Sequence, residues 1–209
     1  MSSATEPSAG TARGTGDDGE RALVVIDMQH SYFELPGLAG REPEVLPQVN
    51  ELIVAARMAG RLVVLVRTEH ARDRSTWTIN MLEDDQGFAF PGTRQARFLD
   101  GLDTHDHIEI VKTRDSSFHG TDLREQLERR GVTHLLLCGI STHSCINQTA
   151  SDAFAHDFHV GIATDAVISE NPQLAAAMLD FLRTEMRQPL LGQSEAREFL
   201  GGSEPGTAG

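Results

Sequence analysis

The sequence is poor in cysteine, in aromatic side chains and in positive charge. Its 209 residues include two cysteines, one tryptophan and one tyrosine, and 31 acidic against 18 basic residues give a formal net charge of −13. Two cysteines are too few for a disulfide framework. So acidic a chain lacks the basic face that nucleic acids and anionic membranes require, and we expect neither as a partner. The charge places no limit on a small-molecule ligand.

Long hydrophobic runs are also missing. No apolar stretch reaches the length needed to cross a membrane, and the N-terminus lacks the basic and apolar regions of a secretion signal. No Gly-x-Gly-x-x-Gly or P-loop pattern follows any predicted strand, so we expect no nucleotide cofactor. These absences together predict a cytoplasmic protein.

Large apolar side chains are missing from residues 2–20 and from residues 201–209. Residues 1–20 contain none beyond the initiator methionine, and such a segment cannot offset the entropy that it would lose on ordering. We predict a disordered tail over residues 1–20, one domain over residues 21–195, and a flexible tail over residues 196–209. A domain of that length can bury one substantial core.

Between the tails, short apolar runs alternate with segments of helical spacing. The runs occupy residues 22–26, 62–66, 108–111, 135–138 and 158–163. Apolar runs of this length are typical of parallel strands that are covered on both faces. Helical spacing over residues 43–59 and an Asn171-Pro172 helix start fall between strands. This alternation predicts an α/β fold with three layers and a mostly parallel sheet.

Polar residues follow three of the predicted strands: Asp27, Lys112 and Cys145. The carboxyl ends of parallel strands meet at one edge of the sheet, where α/β proteins bind ligands. The three side chains supply a base, an amine and a nucleophile, which suffice for acyl transfer. Cys145 would attack a carbonyl carbon, and Asp27 would carry the thiol proton to the leaving nitrogen. Lys112 and the start of a helix would lower the pKa of the thiol.

Each of these residues also has a structural interpretation. Asp27 is of a type that forms turns, and Cys145 is of a type that is often a small buried side chain. The chemical interpretation therefore depends on the three residues lying together.

The segments around these residues resemble the three signature segments of the isochorismatase-like cysteine hydrolases. They read VVIDMQ at 24–29, VKTRDSSF at 111–118 and GISTHSCINQTASDA at 139–153. The resemblance spans about residues 21–190. It implies a six-stranded, largely parallel sheet with helices on both faces, and an oligomer, either a homodimer or a homotetramer.

The same resemblance assigns roles to residues of this chain. It implies a catalytic triad of Asp27, Lys112 and Cys145. It also implies a cis peptide bond between Ile140 and Ser141, with the backbone N–H groups of Ser141 and Cys145 as the oxyanion donors.

Departures from the family pattern reduce the number of reactions that we expect this chain to catalyse. Isochorismatases proper lack a cysteine at this turn, so Cys145 favours cleavage of a C–N bond over cleavage of a vinyl ether. Nicotinamidases carry an Asp-x-His and a further histidine after the second strand, for a metal. In this chain residues 67–73 contain one histidine, His70, and no second one. We therefore expect no metal and no cofactor.

The substrate is the most open question. Residues 75–88 resemble an actinomycete subgroup that includes streptothricin hydrolases, and the acidic pair Asp84 and Asp85 would suit a cationic substrate. We therefore expect a hydrolase of an amide or lactam that acts through a cysteine thioester. The alternatives are an N-carbamoyl or ureido amidohydrolase, a nicotinamidase-like amidase, and a non-catalytic binding protein.

Six residues are candidate contacts to a small-molecule amide substrate. They are Gln29, Tyr32, Phe33, Trp77, Phe118 and His143. Trp77 lies in residues 68–105, a segment with no clear regular element that is long enough to cover a site. His105 and His107 flank Asp106, but neighbouring residues at the start of a strand point to opposite faces, which disfavours a metal site.

Overall fold

The computed structural model describes residues 19–201, in which strands and helices alternate as the sequence predicts. The strands are β1 (Glu20–Ile26), β2 (Leu62–Thr68), β3 (Ile108–Lys112), β4 (Val132–Ile140), β5 (His159–Ile168) and β6 (Leu190–Leu191). The α-helices are α1 (Glu42–Met58), α2 (Ile79–Glu83), α3 (Leu123–Glu128), α4 (Asn147–Ala155), α5 (Pro172–Thr184) and α6 (Gln193–Phe199). A π-helical turn (Thr142–Ile146) connects β4 to α4.

The strands form one six-stranded sheet in the order β3-β2-β1-β4-β5-β6. Every neighbouring pair is parallel, so the predicted sheet is confirmed and is parallel throughout. The chain moves outward in one direction from β1 to β3 and then in the other from β4 to β6. The carboxyl ends of β1 and β4 therefore flank the point where the strand order reverses, which is the usual ligand site of such sheets.

Two cores lie on opposite faces of the sheet, which confirms the three layers. Alternate residues of β1 face opposite sides because successive side chains of a strand do so. Leu23 and Val25 pack in the core that α1 and α6 cover. Val24 and Ile26 pack in the core that contains buried residues of α3, α4 and α5.

The prediction of a flexible tail from residue 196 onward is wrong for residues 196–200. Residues 193–199 form α6, and Ala196 and Leu200 are fully buried against the sheet. Glu195 Oε2 accepts a hydrogen bond from Gly192 N at 2.9 Å, which caps the start of this short helix. The rest of that tail (202–209) and residues 1–18 of the predicted N-terminal tail lie outside the described residues. Within residues 19–201 no helix has the length and apolar character of a membrane span.

We expect Gly139→Ala to destabilise the sheet strongly. Gly139 pairs with Ile26 at the end of β4 and has φ +113°, and a Cβ atom there would lie 2.0 Å from Ile26 O. The backbone cannot yield as a side chain can, so the free energy of unfolding should fall by about 3 kcal/mol or more. Urea denaturation measures this loss.

Gly161→Ala is the matched control for Gly139→Ala. Its Cβ would lie 2.9 Å from Leu191 Cδ1, at the tip of a side chain that can move. We expect a loss of about 1 kcal/mol. Equal losses at the two positions would contradict the importance of the backbone approach at Gly139.

Candidate active site

The structure brings the three predicted residues together at one edge of the sheet. Lys112 Nζ lies 2.7 Å from Asp27 Oδ2 and 3.3 Å from Cys145 Sγ. Their exposed fractions are 1%, 0% and 2%, so all three side chains are shielded from water. The ammonium group of Lys112 therefore contacts both the carboxylate and the sulfur.

Thr68, at the end of β2, connects Asp27 with Lys112. Lys112 Nζ donates to Thr68 Oγ1 at 2.9 Å, and Thr68 Oγ1 donates to Asp27 Oδ1 at 3.0 Å. The hydroxyl of Tyr32 lies 3.2 Å from Asp27 Oδ2 and 3.1 Å from Thr68 Oγ1, and its single proton serves one of them. Asp27 N donates to Val66 O at 2.9 Å, so β2 also fixes the backbone of Asp27.

Burial is the largest influence on the pKa of the Cys145 thiol. It raises the pKa of Cys145 to about 12, although the charge of Lys112 acts to lower that pKa. Burial would also lower the pKa of Lys112, but the charge of Asp27 raises it above its usual value. The free protein therefore holds a neutral thiol beside an ammonium group. The expectation that Lys112 and a helix start would leave the thiol with a lowered pKa is wrong.

The turn that carries Cys145 differs in part from its prediction. The peptide bond between Ile140 and Ser141 is cis, as the resemblance implied. Cys145 lies in the π-helical turn, however, and not in the first turn of α4. Ser141 O accepts hydrogen bonds from Ser144 N at 3.2 Å and from Ile146 N at 3.1 Å, which close the turn around the cysteine.

A cleft of about 300 Å³ opens at this edge of the sheet. Its lining residues are Tyr32, Thr68, His70, Thr78, Asn80, Met81, Phe88, Lys112, Thr113, Arg114 and Asp115. One wall comes from the ends of β2 and β3, and the other comes from residues 78–88. Cys145 Sγ contacts two of the lining residues, Lys112 and, at 3.7 Å, Asp115 Oδ1.

Of the six predicted substrate contacts, the structure places only Tyr32 in the lining of this cleft. Gln29 supports the site from behind: its Nε2 donates to Thr68 O and to Ala96 O at 2.9 Å, and its Oε1 accepts from Thr68 N at 2.7 Å. Phe33 is buried in the core beneath α1. Neither side chain is available to a substrate.

Three other predicted contacts also lie away from the lining. Trp77 donates from Nε1 to Ala71 O at 2.9 Å and packs near Phe90. Phe118 is buried in the core and stacks on Phe158. His143 lies in the π-helical turn, with Nδ1 2.8 Å from Ser169 Oγ. Ser141 Oγ, in the same turn, donates to Glu170 Oε2.

The residues of the cleft that the sequence interpretation missed include Thr68, His70, Arg114 and Asp115. His70 Nδ1 lies 3.1 Å from the carbonyl oxygen of Thr76, which only accepts, so Nδ1 carries the proton. Burial lowers the pKa of His70, which keeps the ring neutral. The available signal was position, because Thr68 ends β2 and Arg114 and Asp115 follow β3.

The residues after β2 do not fit a metal ion. His70 Nδ1 is occupied by Thr76 O, and Glu69 Oε2 pairs with Arg67 Nη1 at 2.5 Å. Asp73 Oδ1 accepts from Ser75 N and Oγ. Across residues 19–201 no three His, Cys, Asp or Glu side chains are grouped so that they could hold a metal.

Known proteins share both the sequence pattern and the fold. The family described as "Isochorismatase domain" matches residues 21–193. The chain is 34% identical over 180 residues to an Arabidopsis thaliana protein named "Probable inactive nicotinamidase", covering 81% of this chain and 92% of that protein. It is 27% identical to the ureidoacrylate amidohydrolase of Klebsiella pneumoniae, over 75% of this chain and 76% of that enzyme. An isochorismatase family protein from Desulfovibrio vulgaris matches with a TM-score of 0.76 and 31% identity, covering 88% of this chain and 100% of the other.

Proposed function

The chain belongs to the isochorismatase family, and from this premise we propose that it is a cysteine amidohydrolase that cleaves a C–N bond through a thioester on Cys145. The family includes amidohydrolases, such as the Klebsiella relative. The observation that carries the proposal is the position of Lys112 Nζ, which contacts both Asp27 Oδ2 and Cys145 Sγ. A base, a cation and a nucleophile in contact are what acyl transfer needs.

The first half of the reaction acylates the enzyme. Asp27, which contacts the same ammonium group as the sulfur, takes the proton of Cys145 as the sulfur attacks the carbonyl carbon. Because the thiol is neutral in the free protein, proton transfer and attack are coupled. The backbone N–H groups of Ser141 and Cys145 receive the oxyanion. Asp27 then protonates the leaving nitrogen, the C–N bond breaks, and a thioester remains on Cys145.

The second half returns the enzyme to its starting state. Asp27 takes a proton from water as the water oxygen attacks the thioester carbon. The C–S bond breaks, the acid leaves, and the sulfur regains a proton from Asp27. Lys112 keeps its charge throughout, which stabilises the carboxylate in one step and the developing thiolate in the next.

A substrate panel tests the proposal and separates its finer alternatives. It contains a simple amide, nicotinamide, streptothricin as a lactam, and ureidoacrylate as a ureide, with release of ammonia or of ring-opened product as the readout. We expect turnover of at least one member, and a chelator should leave it unchanged because residues 67–73 do not fit a metal. Turnover that survives Cys145→Ser would contradict the proposal.

A non-catalytic binding protein is the second candidate function. Two observations favour it: the Arabidopsis relative is named "Probable inactive nicotinamidase", and burial raises the pKa of Cys145 to about 12. A raised thiol pKa alone does not decide the question, because Asp27 is placed to remove the proton when a substrate is bound.

We expect iodoacetamide to label Cys145 before Cys138. Cys138 is fully buried in β4, and burial raises its pKa well above the usual value. The thiolate fraction of Cys145 grows as the pH rises towards its pKa of about 12, so its labelling rate should increase about tenfold per pH unit from pH 7 to pH 10. Intact mass spectrometry of the wild type and of Cys145→Ser measures the two rates. A plateau near pH 9 would show that the pKa of the thiol is close to its ordinary value and would contradict the effect of burial at Cys145.

We further propose a cytoplasmic homodimer or homotetramer. Ile79 and Leu82 of α2 and Phe154 of α4 are exposed, and exposed apolar side chains of this size favour association. Light scattering on the purified full chain measures the oligomeric state, and a monomer would contradict this assignment.

A further inference from the structure

Asp115 places a second carboxylate beside the nucleophile, and the mechanism above does not use it. Its Oδ1 lies 3.7 Å from Cys145 Sγ, and its side chain lines the cleft. Gln148 Nε2 donates to Oδ2 at 3.0 Å, which fixes the orientation of the carboxylate. Among residues 19–201 no lysine, arginine or histidine forms an ion pair with it. Its negative charge is therefore available to a ligand.

The two cationic groups of the cleft have contacts of their own. The charge of Lys112 is balanced by Asp27 at 2.7 Å. Arg114 donates from Nη1 to Thr76 O at 2.7 Å and to Thr113 O at 2.6 Å, which anchors it to the walls of the cleft. Asp115 is thus the unpaired charge that contacts the reacting sulfur.

A neighbouring chamber of about 470 Å³ carries negative charge, as Asp115 does. It shares Tyr32, Met81 and other wall residues with the cleft, so the two spaces adjoin. The charged residues of its lining are Glu34 and Asp84, and both are acidic. A substrate that extends from the sulfur into this chamber meets carboxylates at both ends.

We propose that Asp115 determines the charge of the substrate: it selects amides that carry a cationic or N–H-donating group beside the reacting carbonyl, and it rejects carboxylates there. This inference rests on the proposed function. A fixed carboxylate at the reacting sulfur attracts a donor and repels an anion most strongly in the transition state, when the reacting carbon is closest. Arg114 makes the opposite prediction, because a free edge of its guanidinium group would dock a carboxylate.

Charged thiol reagents test this selection without a known substrate. The probes are methanethiosulfonates that carry a trimethylammonioethyl, an ethyl or a sulfonatoethyl group. In each reaction the Cys145 thiolate attacks the sulfenyl sulfur, a disulfide forms and methanesulfinate leaves. Rates are taken from intact masses, corrected with Cys145→Ser and normalised to the rates with free cysteine. Any common change in thiol pKa cancels in the ratio of the cationic to the anionic rate.

We expect this ratio to be at least about tenfold in the wild type, and about tenfold smaller in Asp115→Asn. Asp122→Asn is the matched control, since it removes the same charge from an exposed residue that does not line the cleft, and it should change the ratio less than twofold. An unchanged ratio in Asp115→Asn, or a wild type that favours the anionic reagent, would overturn the inference. If the ratio behaves as expected but no amide in the panel is hydrolysed, the proposed function fails and the charge selection by Asp115 stands.

Discussion

Cys145→Ala should lower the turnover of the best substrate in the panel by about 10⁴-fold or more while the protein stays folded. Removing the sulfur removes the only atom placed to form the thioester, and what remains is the catalysis that binding and the oxyanion donors provide. The loss of stability should be small, about 1 kcal/mol, because the substitution deletes only one heavy atom, the sulfur. Lys112 keeps its contacts with Asp27 and Thr68 in this variant.

Cys138→Ala is the matched control for Cys145→Ala. It makes the same substitution at a cysteine of β4, seven residues before Cys145. The side chain of Cys138 packs in the core that α1 covers. We expect unchanged turnover and a loss of about 1–2 kcal/mol in the free energy of unfolding. Steady-state kinetics should therefore give opposite results for the two variants, whereas urea denaturation should give losses of similar size. A Cys145→Ala protein that retains turnover would refute the thioester mechanism.

The grouping of Asp27, Lys112 and Cys145 could be predicted from the sequence because a parallel sheet is a strong constraint. Asp27 and Lys112 each come at the end of an apolar run, and Cys145 follows such a run after a short turn. The carboxyl ends of parallel strands lie at the same edge of the sheet, whatever conformation the loops adopt. The same constraint would have pointed to Thr68, which ends β2, but a threonine at the end of a strand carries no chemical signal of its own.

The rest of the site depends on packing, which a sequence pattern does not report. Gln29 is next but one to Asp27 in the chain, yet its side chain turns away from the cleft to satisfy the backbone of Thr68. Helix α6 was missed because a single helical turn of apolar residues, Ala196 and Leu200, is too short for a periodic signal. The thiol pKa was misjudged because burial outweighs the nearby charge, and the depth of a side chain cannot be counted from its position in the sequence.

Lys112→Met should abolish turnover and also destabilise the fold, since the side chain of Lys112 is the cation of a fully buried pair. Without it the carboxylate of Asp27, which has no exposed surface, keeps only the neutral donors Thr68 and Tyr32. Leaving one partner of a buried ion pair uncompensated costs about 3–5 kcal/mol. Urea denaturation at pH 7 measures this loss.

A double-mutant cycle with Asp27→Asn distinguishes this cause from a simple packing defect. If the unpaired carboxylate is what destabilises Lys112→Met, then Lys112→Met combined with Asp27→Asn should recover about 2 kcal/mol or more relative to the sum of the two single losses. Turnover should stay absent in all three variants, because each lacks either the base or the cation. Additive losses would mean that the two charges do not stabilise each other, and the contact of 2.7 Å between them would then have no energetic role.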